Sequence, residues 1–386
     1  YPTKDPTDTF EATSEATIGT YGTKSTGIAL GGPLDQNSNI TYRIALRKDQ
    51  ADGFRKNYFL KRSDTSRKDE TTRRLKVNWQ LADNTKIKFL ISQVDLDDPA
   101  DIWTVDGSLN TLSDRPGMDS QKTNSYGMKI FHSFDGFEFQ SFTSSTDTDV
   151  IFSYDADWGN ADSHFPYVYD YFSETFRDRK SFNQEFRAVS DSANFLKDSF
   201  LEWVIGANYL ELKESNLKKD DGLYGDPSDP YGPYASASAS SSKYKSSNFS
   251  VFGNLDYLLS ASLKFSIGLR WEDWEADYAD SLQESFNPTD KMSGGKISLI
   301  KNMTNGTNMY ASLAKGYKQG GFNLGLGLDA NSRNKNLAYD PEFLTNYELG
   351  INTKLLDSRV TFNGVLFYSD REDQQVLIST QTDPSD

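Results

Sequence analysis

The chain has 386 residues, of which 36% are apolar and 25% are charged, and its formal net charge at pH 7 is −15. It has no cysteine and only two histidines, which excludes thiolate metal sites and cysteine nucleophiles and argues against a Ser-His-Asp triad. The acidic charge argues against nucleic acid as a partner, because contacts with phosphates need a basic face. The sequence therefore predicts no enzyme, no metal site and no resident cofactor.

Alternation of apolar and polar residues recurs along the whole chain, and each such segment predicts a β-strand with one apolar and one polar face. In the segment LKFSIGLRWE, Phe265 and Trp271 lie on one face, whereas Lys264 and Arg270 lie on the other. No apolar run is long enough for a membrane-spanning helix, so the fold class is all-β. About fifteen strands are predicted, at 9–19, 24–34, 40–50, 70–81, 86–94, 121–133, 137–147, 181–190, 200–212, 247–258, 262–274, 291–301, 307–317, 345–355 and 360–369.

The gaps between the predicted strands alternate in length. Short turns rich in Asn, Asp, Gly and Ser occupy every second gap. A soluble β-sandwich has no reason to keep its short turns at one end, whereas a transmembrane barrel has short periplasmic turns and long outer loops. We therefore predict a transmembrane antiparallel up-and-down β-barrel whose apolar faces contact lipid. The longest loops are predicted at 95–120, 148–180, 213–246 and 320–344.

Four stretches carry distinctive motifs: 3–23, 182–212 with its QEFR and LEWVIG motifs, 297–323 with GYKQGGFN, and 340–376 with PEFLTNYELG. Together they resemble one family, the TonB-dependent outer-membrane receptors. The resemblance implies that residues 1–8 are the end of a plug domain and its junction with the barrel. Residues 9–386 would then be a partial barrel with long extracellular loops, about 15 of an expected 22 strands. The plug with its TonB box and the C-terminal strands would be missing from this fragment.

The resemblance also implies a function. It is that of a receptor in the outer membrane of a Gram-negative bacterium that takes up a scarce nutrient with energy from the TonB complex. Ferric siderophore is the ligand class most often met with this barrel type, followed by haem, cobalamin and glycans. The implied partners are that ligand, the TonB complex through the plug, and outer-membrane lipid and lipopolysaccharide. A passive porin and a secreted glycan-binding β protein are the alternatives.

Aromatic residues in the long predicted loops are the candidates for ligand binding. They could line an outer vestibule that stacks a flat or catecholic iron chelate. Alternatively, the rings in 148–180 pack against one another to order a long loop. The Gly-, Pro- and Ser-rich composition of 213–246 favours a mobile loop. The candidates are Trp103, Trp158, Tyr167, Tyr169, Tyr171, Tyr224, Tyr231 and Tyr234.

The motif GYKQGGFN is the most specific feature of the resemblance, and we predict a structural role for it. Gly320 and Gly321 would let the chain turn sharply at the top of a strand, and Phe322 would fill the barrel rim. The residues of the motif with this structural role are Gly316, Tyr317, Gly320, Gly321, Phe322 and Asn323.

One short segment, DADWGNAD at 155–162, carries oxygen-bearing side chains spaced a little like those of a calcium loop. A calcium loop needs a bidentate acidic residue at its twelfth position, where this sequence has Pro166. The match fails at that position, so the segment does not change the prediction that there is no metal site.

Overall fold

A computed structural model of the protein describes residues 3–35, 38–104, 106–190, 201–282, 285–303, 306–322, 338–356 and 359–376. In that part of the chain, no helix is long and apolar enough to cross a membrane. The strands are β1 (Glu11–Ile18), β2 (Lys24–Pro33), β3 (Ile40–Ala51), β4 (Lys56–Asn57), β5 (Lys68–Ala82), β6 (Thr85–Pro99), β7 (Asn110–Thr111), β8 (Met118–Ser133), β9 (Phe137–Asp155), β10 (Val168–Ser190), β11 (Leu201–Gly225), β12 (Tyr234–Ser260), β13 (Leu263–Asp280), β14 (Ser285–Phe286), β15 (Thr289–Asn302), β16 (Asn308–Lys318), β17 (Gly321–Phe322), β18 (Ala338–Tyr339), β19 (Glu342–Leu355) and β20 (Val360–Glu372).

One antiparallel sheet contains the fifteen long strands side by side in chain order. Each of the fifteen predicted segments corresponds to one of these strands, which confirms the all-β, up-and-down architecture. Within the described residues, β1 pairs only with β2 and β20 only with β19, so the sheet is open. The order is β1-β2-β3-β5-β6-β8-β9-β10-β11-β12-β13-β15-β16-β19-β20, with β14 beside β13 and with β4-β7 and β17-β18 as separate pairs.

Short connections lie at one end of this sheet, which we call the turn end. Longer ones lie at the opposite, loop end, except for the short connection 19–23 between β1 and β2. Residues 83–84 join β5 to β6, and residues 261–262 join β12 to β13, both at the turn end. At the loop end, residues 52–67 join β3 to β5, and residues 100–117 join β6 to β8. This arrangement is the alternation that the sequence predicts.

Strand pairing determines which side chains share a face of the sheet, because directly opposite residues point the same way. Ile267 of β13 is opposite Leu255 of β12 and Ile297 of β15, so that the three form an apolar row. A continuous face of large exposed apolar side chains is typical of contact with lipid. Further exposed members of this apolar face are Ile28, Ile44, Phe89, Tyr126, Phe186, Ile205, Tyr209, Leu269, Trp271, Leu313 and Leu349.

The apolar face ends at a similar level on β11 and β13, the strands on either side of β12. Towards the loop end, Trp271 of β13 is followed on the same face by Asp273, and Tyr209 of β11 is followed by Glu211. Some 9–11 residues are enough for a tilted strand to cross a membrane. Strands β10, β11 and β12 have 23, 25 and 27 residues, so they continue well beyond the apolar face.

This extension differs from the predicted loops at 148–180 and 213–246. Only 156–167 and 226–233 connect the strands there, and the remaining residues of both segments are strand. The segment YASASASSS has a weak intrinsic preference for strands, and pairing with β11 overrides that preference.

Candidate ligand site and outer rim

Four of the candidate tyrosines lie together at the loop end of β10, β11 and β12. Tyr169 is directly opposite Tyr224, and Tyr224 is directly opposite Tyr234. Tyr171 lies two residues from Tyr169 on the same face, and the centroids of these two rings are 4.7 Å apart. We call Tyr169, Tyr171, Tyr224 and Tyr234 the tyrosine ladder. Since they were predicted to be in loops, their placement on paired strands is a correction.

The tyrosine ladder lies on the polar face of the sheet. Pairing between β10 and β11 has no register shift from Tyr169 down to Arg187, so odd-numbered residues of β10 all point the same way. Arg187 is on that face, whereas Phe182 and Phe186 belong to the apolar face. In a barrel whose apolar face contacts lipid, the polar face lines the bore. The tyrosine ladder therefore points inward, above the bore.

Contacts within the extension support two rings of the tyrosine ladder. Tyr171 lies over Gly222, its cross-strand partner, where a Cβ atom would come within 2.3 Å of the ring. The imidazole of His164 packs edge-on against Tyr169, with ring centroids 5.3 Å apart. Gly222 is therefore required for the close approach of Tyr171 and not for a turn.

The other two rings, those of Tyr224 and Tyr234, are exposed. Tyr224 is 41% exposed and Tyr234 is 51% exposed. The Tyr234 hydroxyl donates a hydrogen bond to Asp229 Oδ2 at 2.8 Å. Tyr231, at the tip of the same connection, is 85% exposed and lies off the strands.

Three further candidates lie in loops and not on the paired strands. Trp103 packs against Tyr154 and Phe152, with ring centroids 5.1 and 6.4 Å apart, so its ring helps to order the loop 100–117. Trp158 is 44% exposed and has a left-handed backbone, with φ 62°. Tyr167 is 46% exposed. The structure thus brings four of the eight candidates together on adjacent strands.

A buried polar network, which sequence reasoning missed, joins the loops 52–67 and 100–117. The Asn57 amide donates to Asp101 Oδ2 at 2.9 Å and to a backbone carbonyl of the second loop at 2.8 Å. Thr111 Oγ1 donates to the same Asp101 oxygen at 2.7 Å. All three side chains are buried. No local sequence pattern marks such a network, because its members are far apart in the chain.

Asn57→Ala should loosen both loops and leave the barrel folded. The change removes two donors and leaves the buried Asp101 carboxylate with less compensation, which should cost about 1–3 kcal/mol of local stability. Amide hydrogen exchange of the protein should rise in 52–67 and 100–117 together. Asn110→Ala, an exposed neighbour in the same small sheet, should leave exchange unchanged. Equal protection in both variants would contradict the role of Asn57.

Several carboxylates meet at the loop end of β9. The carboxylate of Asp157 accepts hydrogen bonds from the backbone N–H groups of Gly159 at 2.8 Å and Tyr171 at 2.7 Å. Burial and the nearby carboxylates of Asp157 and Asp114 raise the pKa of Asp155 to about 7, against the opposite effect of the Ser113 hydroxyl. Asn160, another residue of the calcium-like segment, is held by the backbone carbonyl of Leu112 and the N–H of Asp162.

The glycines of GYKQGGFN permit a close approach of chain segments. A Cβ on Gly320 would lie 2.6 Å from the Tyr339 carbonyl oxygen, and one on Gly321 would lie 2.5 Å from the Tyr339 hydroxyl. Neither glycine has a left-handed φ. The pair therefore brings β17 against β18, instead of providing the sharp turn that the sequence suggested. A Cβ on Gly316 would meet no atom within 4 Å.

Phe322 of the same motif packs among three rings at the loop end. Its centroid is 5.0 Å from that of Tyr278, 5.7 Å from that of Phe286 and 5.9 Å from that of Tyr244. Tyr317 donates its hydroxyl to Glu272 Oε2 at 3.1 Å. These contacts make the motif a packing element of this rim. Asn323, the last residue of the motif, lies outside the described residues.

Alternating basic and aromatic side chains run across the polar face, a second feature that sequence reasoning missed. The Arg187 guanidinium lies 5.2 Å from the ring centroid of Phe142 and 5.9 Å from that of Phe252. The Arg270 guanidinium lies 5.9 Å from the Phe252 centroid. Cations over aromatic faces are mutually stabilising. The signal that could have found these residues is an aromatic on the polar face of an alternating strand.

An antiparallel up-and-down sheet with one exposed apolar face and one polar face is the architecture of an outer-membrane β-barrel, in which the polar face lines the bore. The family model "TonB dependent receptor-like, beta-barrel" matches residues 1–386. The chain therefore belongs to the TonB-dependent receptors, which are outer-membrane proteins of Gram-negative bacteria and not enzymes. This confirms the family that the four stretches resemble, and it disfavours a passive porin and a secreted glycan-binding protein. The loop end is the outer end of such a barrel.

Solved structures with the same fold are described as receptors or transporters for different ligands. The ferric yersiniabactin uptake receptor FyuA from Yersinia pestis has a TM-score of 0.70 and 18% identity, over 97% of this chain and 56% of that one. The siderophore receptor PiuA from Acinetobacter baumannii has a TM-score of 0.68 and 15% identity, over 94% and 57%. The copper transporter OprC has a TM-score of 0.64 and 14% identity, over 96% and 55%. The chain thus spans a little over half the length of these structures.

Proposed function

We propose that this barrel belongs to a receptor that binds a ferric siderophore at its outer rim. The observation that carries the proposal is the tyrosine ladder, four rings on one face of the sheet above the bore. Aromatic rings stack well on flat or catecholic chelates, and their rigid side chains lose little entropy on binding. The descriptions of FyuA and PiuA as siderophore receptors favour this ligand class, and that of OprC makes copper the alternative to test.

Uptake driven by the TonB complex is part of the same proposal, with residues 1–8 as the end of the plug. Contacts of the N-terminal segment support this assignment. The Asp5 carboxylate accepts hydrogen bonds from Lys76 Nζ at 2.8 Å and Lys88 Nζ at 3.1 Å, both on the polar face. These contacts hold the segment against the bore side of β5 and β6. The apolar face would contact outer-membrane lipid, and the charged residues above it would contact lipopolysaccharide.

Ligand binding to the full-length receptor in detergent tests the proposal. Quenching of tyrosine and tryptophan fluorescence should be measured with ferric catecholate, ferric hydroxamate, haem, cobalamin and Cu²⁺. We expect saturable quenching by at least one ferric chelate and weaker binding of the same chelator without iron. Saturable binding of Cu²⁺, haem or cobalamin alone would contradict the proposed ligand class.

A further inference from the structure

Three buried side-chain oxygens at the outer end of β9 have no hydrogen-bond partner among the described residues. They are Asp155 Oδ2, Asp114 Oδ1 and Ser113 Oγ. Asp155 is only 5% exposed and Ser113 only 1%. Burial of a polar atom without a partner is costly, and burial of a charged one is costlier still. A hydrogen-bond donor or a cation next to these oxygens would offset that cost.

The three oxygens come from two segments that are in direct contact. The backbone N–H of Asp114 donates to the Gly159 carbonyl at 2.9 Å, which ties the loop 100–117 to the connection after β9. The Ser113 hydroxyl lowers the pKa of Asp155 and the Asp114 carboxylate raises it, which is consistent with these groups being neighbours across that contact. The oxygens are thus grouped at the contact between these segments.

The positive charge nearby is already engaged. Arg115 Nη2 donates to Asp170 Oδ1 at 2.8 Å, and its Nη1 donates to Asp221. Among the described residues, no lysine or arginine forms an ion pair with Asp114, Asp155 or Asp157. The Asp157 oxygens are satisfied by backbone N–H groups, as described above, and Asp155 Oδ1 accepts the N–H of Asp157 at 3.4 Å, but Asp155 Oδ2 and Asp114 Oδ1 have no such donor. The negative charge of this group is therefore only partly offset, by Arg115 acting on Asp114 without an ion pair.

We propose that Asp155, Asp114 and Ser113 form a binding site for a divalent cation of the calcium class, which fastens the loop 100–117 to the outer end of β9. Hard oxygen donors are the ligands that Ca²⁺ prefers, and its remaining positions would be filled by backbone carbonyls and water. The sequence pattern of 155–162 did not reveal this site, because two of its three oxygens come from another loop. The cation would stabilise the position of the loop 100–117 at the rim. This role does not depend on which ligand the receptor binds.

Terbium luminescence tests the site directly in the full-length receptor. Tb³⁺ replaces Ca²⁺ on oxygen ligands, and Trp158 is three residues from Asp155, near enough along the chain to sensitise it. Asp155→Asn should lower the Tb³⁺ signal about tenfold or more at a fixed concentration, because Ca²⁺-type affinity follows the number of charged ligands. Ca²⁺ should compete with Tb³⁺ for the wild-type signal.

The matched control is the same change eight residues earlier in β9. Asp147, Asp149 and Asp178 offer carboxylate oxygens within 4.8 Å of one another, but all three residues are more exposed than Asp155. Asp147→Asn should keep the signal. An unchanged signal in Asp155→Asn, or loss in Asp147→Asn alone, would overturn the proposal.

Hydrogen exchange of the unaltered receptor provides a second measurement that does not depend on a variant's folding. About 1 mM Ca²⁺, within the range of extracellular calcium sites, should slow exchange in 111–118 and 155–163 relative to EDTA. Ser113→Ala, which keeps the charge, should weaken this protection. Identical exchange with Ca²⁺ and with EDTA would overturn the cation site and indicate that the carboxyls share a proton.

Discussion

Ile267→Arg should destabilise the membrane-inserted barrel by about 2–4 kcal/mol, the cost of arginine on a lipid-facing strand at the bilayer midplane. Ile267 lies midway along the apolar stretch of β13 that begins at Leu263 and ends at Trp271. Its direct neighbours on the adjacent strands, Leu255 and Ile297, are also apolar. An arginine there can reach water only by extending along the strand, so its charge remains largely desolvated.

Asp273→Arg is the matched control, because it places the same side chain on the same strand and the same face. Asp273 follows Trp271 on that face, above the apolar stretch, where arginine should cost about 0–1 kcal/mol. Urea unfolding of the full-length receptor in bilayers, followed by heat-modifiable gel mobility, measures both. Similar losses at the two positions would show that the apolar face of β13 does not contact lipid.

The fifteen strands could be predicted from sequence because the bilayer imposes a strict pattern. A lipid-facing residue must be apolar, and its neighbour on the bore side is polar. A segment such as LKFSIGLRWE therefore indicates both that it is a strand and which residues lie on each face. The short connections at the turn end could also be predicted, since tight turns favour Asn, Asp, Gly and Ser.

Beyond the membrane that pattern disappears. The outer part of β12 has the sequence YASASASSS, in which neither face is apolar, and its strand conformation depends on pairing with β11. The same limit applied to the site. Tyr169, Tyr224 and Tyr234 were recognisable as candidates, but their alignment depends on the register of two hairpins, which a sequence does not specify without a buried face.

Contacts between distant loops could not be predicted either. Asn57 and Asp101 are polar residues in unremarkable surroundings, and only the folded chain buries them against each other. Asp155 belonged to a segment that was considered for calcium, yet its unpartnered neighbours, Asp114 and Ser113, come from another loop. The residues of such sites are far apart in the sequence and meet only when the strands between them pair. No fixed sequence spacing therefore marks these sites.

Tyr171→Ala with Tyr224→Ala should weaken binding of the ferric chelate about 30- to 100-fold and leave the barrel folded. Aromatic residues at binding hot spots each contribute about 2 kcal/mol or more, and a tenfold change in Kd corresponds to about 1.4 kcal/mol. The two effects should not add fully, because both rings belong to one group. Binding should be measured by fluorescence quenching with the chelate that the wild-type receptor binds best.

Tyr209→Ala is the control for this pair, since Tyr209 lies on β11 as Tyr224 does, but on the apolar face. It should leave Kd unchanged. Tyr171→Phe separates the two ways in which a tyrosine can act: it keeps the ring that lies over Gly222 and removes only the hydroxyl. Stacking predicts wild-type affinity for this variant, whereas a hydrogen bond from the hydroxyl predicts a loss similar to that of alanine. Wild-type affinity in the double alanine variant would remove the tyrosine ladder from the ligand site, while the membership of the family and the lipid-facing surface would stand.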